Sequence, residues 1–182
     1  IVTIGLFSKQ YYDVDSPLET RDSLKVLEPY SYYAEESRII NTILSRYHYR
    51  KFKLNDSLST EIFERYIEAL DYNKSYFLAK DIKEFEKYKN RFDNFLLEGD
   101  LEVIYNIFKK YKDRSETRFN YVESLLREDF DFTIDEYYER DRKNAPWPAT
   151  DEEANEIWRK RVKNDALNLK LAGKPVDSIA IT

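Results

Sequence analysis

The hydrophobic period of this chain, close to 3.6 residues and rarely interrupted by glycine, most constrains how it folds. Only three of its 182 residues are glycine. Sheet-based folds need glycine at tight turns and phosphate loops, whereas helices need it mainly at their C-terminal ends. Sixteen tyrosines and eleven phenylalanines indicate a core built from large rings. The sequence therefore predicts an all-α fold, an irregular helical bundle of five to seven helices.

Two helices are predicted before residue 71. The first covers residues 35–49 and carries an apolar stripe that we expect to face the core. The members of this stripe are Ile39, Ile40, Ile43, Leu44 and Tyr47. The second helix should begin at a serine cap, either Ser57 or Ser59, and end before the turn-forming residues that start at Asp71.

A third and a fourth helix follow in the middle of the chain. Apolar residues over 82–96 predict one continuous helix, which Gly99 should close as the residue after its C-terminus. Asp100 suits the cap of the next helix. That helix lies near residues 101–127 and is long, about 40 Å at a rise of 1.5 Å per residue.

Two capping boxes mark the last third of the chain. Thr133 with Glu136 predicts the start of a short helix, and Thr150 with Glu153 predicts the start of a longer one. Between them, residues 145–148 read Ala-Pro-Trp-Pro. Two prolines fix the backbone and restrict the residues before them, so this segment should be a stiff, extended connector.

The ends of the chain differ in pattern from its middle. Residues 1–34 are interpreted as an extended lead-in, and the helical domain as residues 35–176. The apolar run Ile1–Phe7 is either the remnant of a signal peptide or a short segment that packs on the helices. Residues 177–182 are interpreted as the truncated start of a further element. No apolar stretch reaches the roughly 20 residues that span a bilayer, so no membrane span is predicted.

Catalytic patterns are weak in this sequence. The absence of cysteine excludes a thiol nucleophile, a zinc–thiolate site and a disulfide. His48 is the only histidine, and no Gly-x-Ser-x-Gly segment supplies a serine nucleophile for which it could act as a base. We interpret it instead as a cation at a helix C-terminus, where it can bond to free carbonyls. Basic and aromatic residues alternate in Arg46–Lys53, a pattern that occurs in proteins that bind single-stranded nucleic acid. The net charge of −5 argues against such binding. Four acids lack the glycine and spacing of a calcium loop, namely Asp129, Asp131, Asp135 and Glu136.

Several segments, in order, resemble the N-terminal helical domain of bacterial tail-specific proteases, the carboxy-terminal processing peptidases. The likeness covers about residues 35–176. The matching segments are YHYRK at 47–51, LS at 58–59, FERY at 63–66, LDYNKSYFLAKD at 70–81, RKNAPWP at 142–148, WRKRVK at 158–163 and LKLAGK at 169–174. The residues that we take as its structural motif are Asp71, Tyr76, Phe77, Leu78, Asp81, Pro146, Trp147, Pro148 and Trp158.

The resemblance implies a secreted, periplasmic serine endopeptidase that cuts substrates marked by an apolar C-terminal tail. Family members have a helical N-terminal domain, a PDZ domain that holds the tail and a protease core with a Ser–Lys dyad. By this resemblance, the PDZ and protease regions would begin after residue 182. We therefore assign no catalytic, cofactor-binding or metal residue to it. Its implied partners are those downstream domains and, in the periplasm, an adaptor protein.

Two expectations about role follow. The segment 71–81 should be architectural, with Asp71 and Asn73 in a tight turn and Asp81 in the first turn of the next helix. Tyrosines off the apolar stripes suggest a docking and gating surface, because tyrosine is favoured at interfaces. The candidates are Tyr11, Tyr12, Tyr30, Tyr32 and Tyr33. Two alternatives stay open: the rings cover a ring-rich core, or the chain is a stand-alone helical interaction or adaptor module.

Overall fold

Helices form the regular structure of residues 28–47 and 55–173, which are the residues that the computed structural model describes. They are α1 (Ser31–Tyr47), α2 (Asp56–Leu70), α3 (Ala79–Phe85), the 3₁₀ helix η1 (Glu86–Arg91), α4 (Phe92–Glu98), α5 (Glu102–Leu125) and α6 (Asp151–Leu171). No strand occurs in these two ranges, and the predicted all-α bundle of five to seven helices is confirmed there. Within the same residues, no helix is both long enough and apolar enough to cross a membrane.

Two helix boundaries differ little from the sequence patterns. The long helix predicted near residues 101–127 is α5, Glu102–Leu125. Leu101 occupies its cap position, and the predicted cap Asp100 accepts the Glu102 N–H at 3.3 Å. The first helix, α1, starts at Ser31 and so extends into the segment that was interpreted as an extended lead-in.

The cap of α2 is Asn55 and neither of the two serines predicted for that role. The Asn55 side chain accepts the backbone N–H of Leu58 at 3.0 Å. Ser59 is fully buried one turn further on, where its hydroxyl donates to the Lys89 carbonyl and accepts the Phe92 N–H. The serine therefore joins α2 to the start of α4 instead of closing a helix end.

The single helix predicted over 82–96 is three shorter ones, α3, η1 and α4. The backbone leaves helical geometry at Asn90, with φ −92° and ψ 15°. The Ser59 hydroxyl receives the N–H of Phe92 immediately after this kink, so the helix restarts with its first donor satisfied. Gly99 ends α4 at φ 70°, as predicted, and a Cβ there would lie 2.5 Å from the Ala34 carbonyl oxygen.

The core is built largely from aromatic rings, as the composition predicted. Its buried members from α2 through α5 are Phe63, Ile67, Phe77, Phe85, Phe92, Phe95 and Ile107. These rings meet edge to face, for example Phe63 with Phe92 at 5.4 Å between ring centroids. The α6 helix packs on α5 and buries one stripe of its own. The members of that stripe are Ala154, Trp158, Val162 and Ala166.

The two predicted capping boxes have opposite outcomes. Thr150 caps α6 by accepting the Glu153 N–H at 3.2 Å, as predicted. The box at Thr133 and Glu136 starts no helix, and residues 126–150 contain turns, bends and irregular backbone. Asp131 accepts both the N–H and the hydroxyl of Thr133, which holds the threonine in a turn with the residues before it.

Candidate interaction surface

The turn at residues 71–81, named the Asp71 turn below, is organised by one buried carboxylate. Asp71 is 2% exposed and accepts the backbone N–H groups of Ser75, Tyr76 and Phe77 at 2.8–2.9 Å. Burial raises the pKa of Asp71, and the three N–H groups oppose that rise. An aspartate suits this position because its two carboxylate oxygens accept the backbone N–H groups of the turn, which have no other partner in a helix or strand.

The later motif residues close over this turn. The Ala79 N–H donates to the Pro148 carbonyl at 2.8 Å, and the Trp158 indole N–H donates to the Ser75 carbonyl at 2.8 Å. The Trp147 ring lies 6.1 Å from the Phe77 ring, which is fully buried. Motif segments that are about 80 residues apart in sequence therefore form one packed unit.

An ionic cluster ties the Asp71 turn to α5 and α6. The Arg114 guanidinium spans both oxygens of Asp81 at 2.7 and 3.0 Å and reaches Asp151 at 3.3 Å. Arg118 has no exposed surface and bonds to the Asp151 carboxylate and the Asn155 side chain. Burial alone raises the pKa of Asp81, but the bonds from Arg114 and the Leu78 N–H leave that pKa below its usual value.

Sequence reasoning missed this cluster. Its sequence signal is the pair Arg114 and Arg118, four residues apart on one face of α5. Two arginines at that spacing repel each other unless acids from other elements face them. The pattern alone does not reveal which acids those are, because Asp81 and Asp151 lie more than 30 residues away in either direction.

The acidic residues that were considered as calcium ligands form hydrogen bonds and ion pairs within the protein where the structure describes them. Glu136 bonds to Arg159 and Lys163 of α6, and Asp131 bonds to Thr133. Among residues 28–47 and 55–173, no three His, Cys, Asp or Glu side chains form a group able to hold a metal ion. His48 and most of the basic run Arg46–Lys53 lie outside the described residues.

The predicted tyrosines of the lead-in fall into two groups. Tyr11 and Tyr12 lie outside the described residues. Tyr30, Tyr32 and Tyr33, named the tyrosine cluster, surround the start of α1, with the Tyr30 and Tyr32 rings stacked at 5.5 Å between centroids. A side-chain hydrogen bond with Tyr33 raises the pKa of Tyr32 to about 12. Tyr30 and Tyr32 are about half exposed, so the cluster presents rings to solvent.

The apolar stripe of α1 points away from the core, which contradicts its prediction as a core face. Ile39, Ile40, Ile43 and Tyr47, named the isoleucine stripe, are 51%, 56%, 52% and 79% exposed, whereas Leu44, the fifth predicted member, is partly buried. The opposite side of α1 faces α4 with small and polar residues. Ser37 donates to the Leu96 carbonyl at 2.8 Å, and Arg38 donates to the Glu98 carbonyl at 2.9 and 2.6 Å.

The physical reason for this orientation lies at the C-terminus of α4. Its last carbonyls lack partners within the helix and carry partial negative charge, which attracts a hydroxyl and a guanidinium. The close approach of Gly99 to Ala34 leaves no room for isoleucine side chains at that contact. The helical period identified the apolar face correctly, but it does not state which face the neighbouring helix binds.

Comparison with known proteins supports the family that the sequence segments suggested. Residues 39–181 match the family model described as the tail-specific protease N-terminal domain. A tail-specific protease of Haemophilus influenzae is 41% identical over 146 residues, which are 78% of this chain and 21% of that protein. The chain thus spans about a fifth of the length of this curated relative. This protein belongs to the family of tail-specific protease N-terminal domains.

Proposed function

We propose that this chain is the non-catalytic N-terminal domain of a periplasmic C-terminal-processing serine endopeptidase. In that protein it serves as a docking and gating platform for the downstream PDZ and protease regions, which carry the tail pocket and the Ser–Lys dyad. Two findings support the proposal: the family match, and a relative of which this chain spans only 21%.

The observation that carries the docking role is the tyrosine cluster. Its rings contact one another at the start of α1, and Tyr30 and Tyr32 remain about half exposed. Rings held in place by their neighbours lose little entropy on binding, and each adds a hydroxyl that pairs at a polar rim. The cluster therefore has the properties of a preformed contact site for another domain.

The rest of the fold supports a platform that keeps its shape. The buried Arg118 and the Arg114–Asp81 pair connect α5 to α6 and to the Asp71 turn. Removing one partner of a buried ion pair is costly, so we expect these segments to keep their relative positions. A rigid block beside an active site restricts the approach of folded substrates and admits an extended tail, which is the gating part of the proposal.

The test uses the parent protease and its separate parts. Titration of this chain with the separately produced downstream region should show saturable binding, and Tyr30→Ala with Tyr32→Ala should weaken it. Tyr137→Ala is the matched control, because Tyr137 is 80% exposed but lies far along the chain from the cluster. The parent carrying the cluster variants should cleave folded, tail-bearing substrates with altered kcat/KM.

Absence of binding, together with unchanged proteolysis by a parent that lacks residues 1–182, would eliminate the docking and gating role. The stand-alone adaptor alternative predicts the opposite pattern, in which this chain binds a periplasmic protein and is encoded without protease segments. An adaptor for the protease itself is compatible with the platform, and the same variants test whether it uses the tyrosine cluster.

A further inference from the structure

The isoleucine stripe occupies one side of α1 along most of its length. At about 100° per residue, its four members fall within an arc of about 100°. A surface helix of an isolated domain normally turns such an arc toward its core. In α1 the arc faces solvent, and each isoleucine keeps about half of its surface exposed.

The orientation of α1 is fixed by its other side. Ser37 and Arg38 bond to the carbonyls at the end of α4, and Gly99 lies against Ala34. A rotation of α1 that buried the isoleucines would break those bonds and bring larger side chains to the contact with Gly99. The stripe is therefore held outward, as a surface that another molecule reaches without rearrangement of the bundle.

Charges near the stripe are arranged with opposite signs at its two ends. Exposed Glu35 and Glu36 precede Ile39, and exposed Arg46 follows Ile43. Glu36 and Arg46 are ten residues apart, about 15 Å along the helix. When an identical helix lies antiparallel across the stripe, Glu36 of each meets Arg46 of the other. In a parallel arrangement, like charges would meet instead.

We propose that the isoleucine stripe binds a second copy of this chain, in an antiparallel α1–α1 pair related by a two-fold axis. Ile39 of each copy packs on Ile43 of the other, and the two Glu36–Arg46 pairs flank the contact. Such an interface is isologous, because the same patch serves both partners. This goes beyond the proposed docking function, which uses the tyrosine cluster.

The size of the surface sets the strength of the pair. One helix face against its copy lies below the roughly 1,200 Å² of total area that stable complexes bury. Weak, reversible dimers are the rule at that size, with dissociation constants of about 1 μM or above. If two copies of the full-length protein also contact each other elsewhere, the α1 pair would add to the stability of that dimer.

The first test measures the mass of this chain by sedimentation over micromolar to millimolar concentration. We expect a monomer–dimer equilibrium, and Ile43→Glu should weaken it by at least about tenfold because a charge would enter the apolar contact. Glu116→Arg, at an exposed position of α5, is the control for a change of charge alone and should leave the dimer intact. Circular dichroism verifies that each variant keeps its helices.

The second test identifies the occupant as a second copy. Glu36→Arg alone and Arg46→Glu alone should each weaken the homodimer by about three- to tenfold, since each places like charges opposite one another. Mixing the two variants should restore dimerisation, because both flanking pairs are again of opposite sign in the mixed dimer. A different occupant of the stripe gives no such rescue.

Three results would overturn the inference: a chain that stays monomeric at every concentration, a dimer that ignores Ile43→Glu, or no recovery on mixing. The docking proposal is judged separately, because the tyrosine variants are read by binding to the downstream region. Loss of binding to that region in Ile43→Glu, without any dimer in the wild type, would reassign the stripe to the downstream region.

Discussion

The Asp71 turn and the α1–α4 contact hold segments in place by opposite means. In the Asp71 turn, the aromatic core closes over a carboxylate whose oxygens meet three N–H groups. In the α1–α4 contact, side chains of α1 bond to backbone carbonyls and leave the apolar face outside. Within the part of the chain that the structure describes, α1 and α4 also bury Nδ2 of Asn41 and Oδ1 of Asp93 without hydrogen-bond partners. The first region stabilises the fold, and the second orients a surface.

The largest effect should come from removing a ring at the Asp71 turn. Phe77→Ala empties a site with no exposed surface and should lower the free energy of unfolding by about 3–5 kcal/mol. Chemical denaturation measures it. Tyr137→Ala removes a ring that is 80% exposed and serves as control. Equal effects of the two substitutions would show that the turn is not the stabilising region.

A methyl group at Gly99 should loosen the α1–α4 contact. Gly99→Ala combines a strained left-handed backbone with a Cβ 2.5 Å from the Ala34 oxygen, so we expect a loss of about 2–4 kcal/mol. Gly173 has a similar φ, 68°, and open space around it. Gly173→Ala should therefore cost only the backbone part, about 1–2 kcal/mol.

Hydrogen exchange separates the two contributions at Gly99. In Gly99→Ala, amides of α1 should exchange faster, while those of the Asp71 turn keep their protection. Exchange that accelerates equally in both regions would mean that α1 and the turn unfold as one unit, and the distinction between the regions would fail.

Acid should weaken the contact between residues 126–150 and α6. Bonds from Arg159 and Lys163 lower the pKa of Glu136 from 4.5 to about 2. A carboxylate with a lowered folded pKa stabilises the fold above its unfolded pKa, and this contribution disappears as pH falls from 4.5 towards 2. Thermal melts of wild type and Glu136→Gln should differ at neutral pH and converge in acid. Glu116→Gln should show no such convergence.

The smallest effect should come from the isoleucine stripe itself. In dilute, monomeric protein, Ile43→Ala should change the free energy of unfolding by no more than about 0.5 kcal/mol, since the side chain is half exposed. Ile107→Ala, at a position 1% exposed, should cost about 2–5 kcal/mol. A large loss from Ile43→Ala in the monomer would show that the stripe is covered within the chain itself.

Local patterns predicted much of this fold. The helical period identified α1, α2, α5 and α6, and scarce glycine favoured helices over sheets. The break between α3 and α4 at Asn90 was not predicted, since no glycine or proline marks it in the sequence. The break is stabilised from another helix, where the Ser59 hydroxyl accepts the Phe92 N–H. The Thr133 box failed for a similar reason, since Asp131 and the bases of α6 compete for its two members.

The surface was harder to predict than the core. The position of Tyr30 and Tyr32 off the apolar stripes correctly predicts that they are exposed, whereas the period of the isoleucine stripe wrongly predicts a core face. A stripe of isoleucines has the same period whether it is covered by its own chain or by another molecule. The deciding partners, Leu96 and Glu98, contribute only backbone carbonyls, which leave no trace in the amino-acid sequence.

Tryptophan fluorescence should report on the Asp71 turn but not on the α1–α4 contact. Trp147 and Trp158 are the only indoles in the chain, and both lie against the Asp71 turn. Their emission therefore reports on the solvent exposure of that turn. Detachment of α1 should leave both indoles in place and so change their emission little. An unfolding curve followed by tryptophan emission alone would thus miss any early opening at the isoleucine stripe, which a dye attached to α1 would reveal.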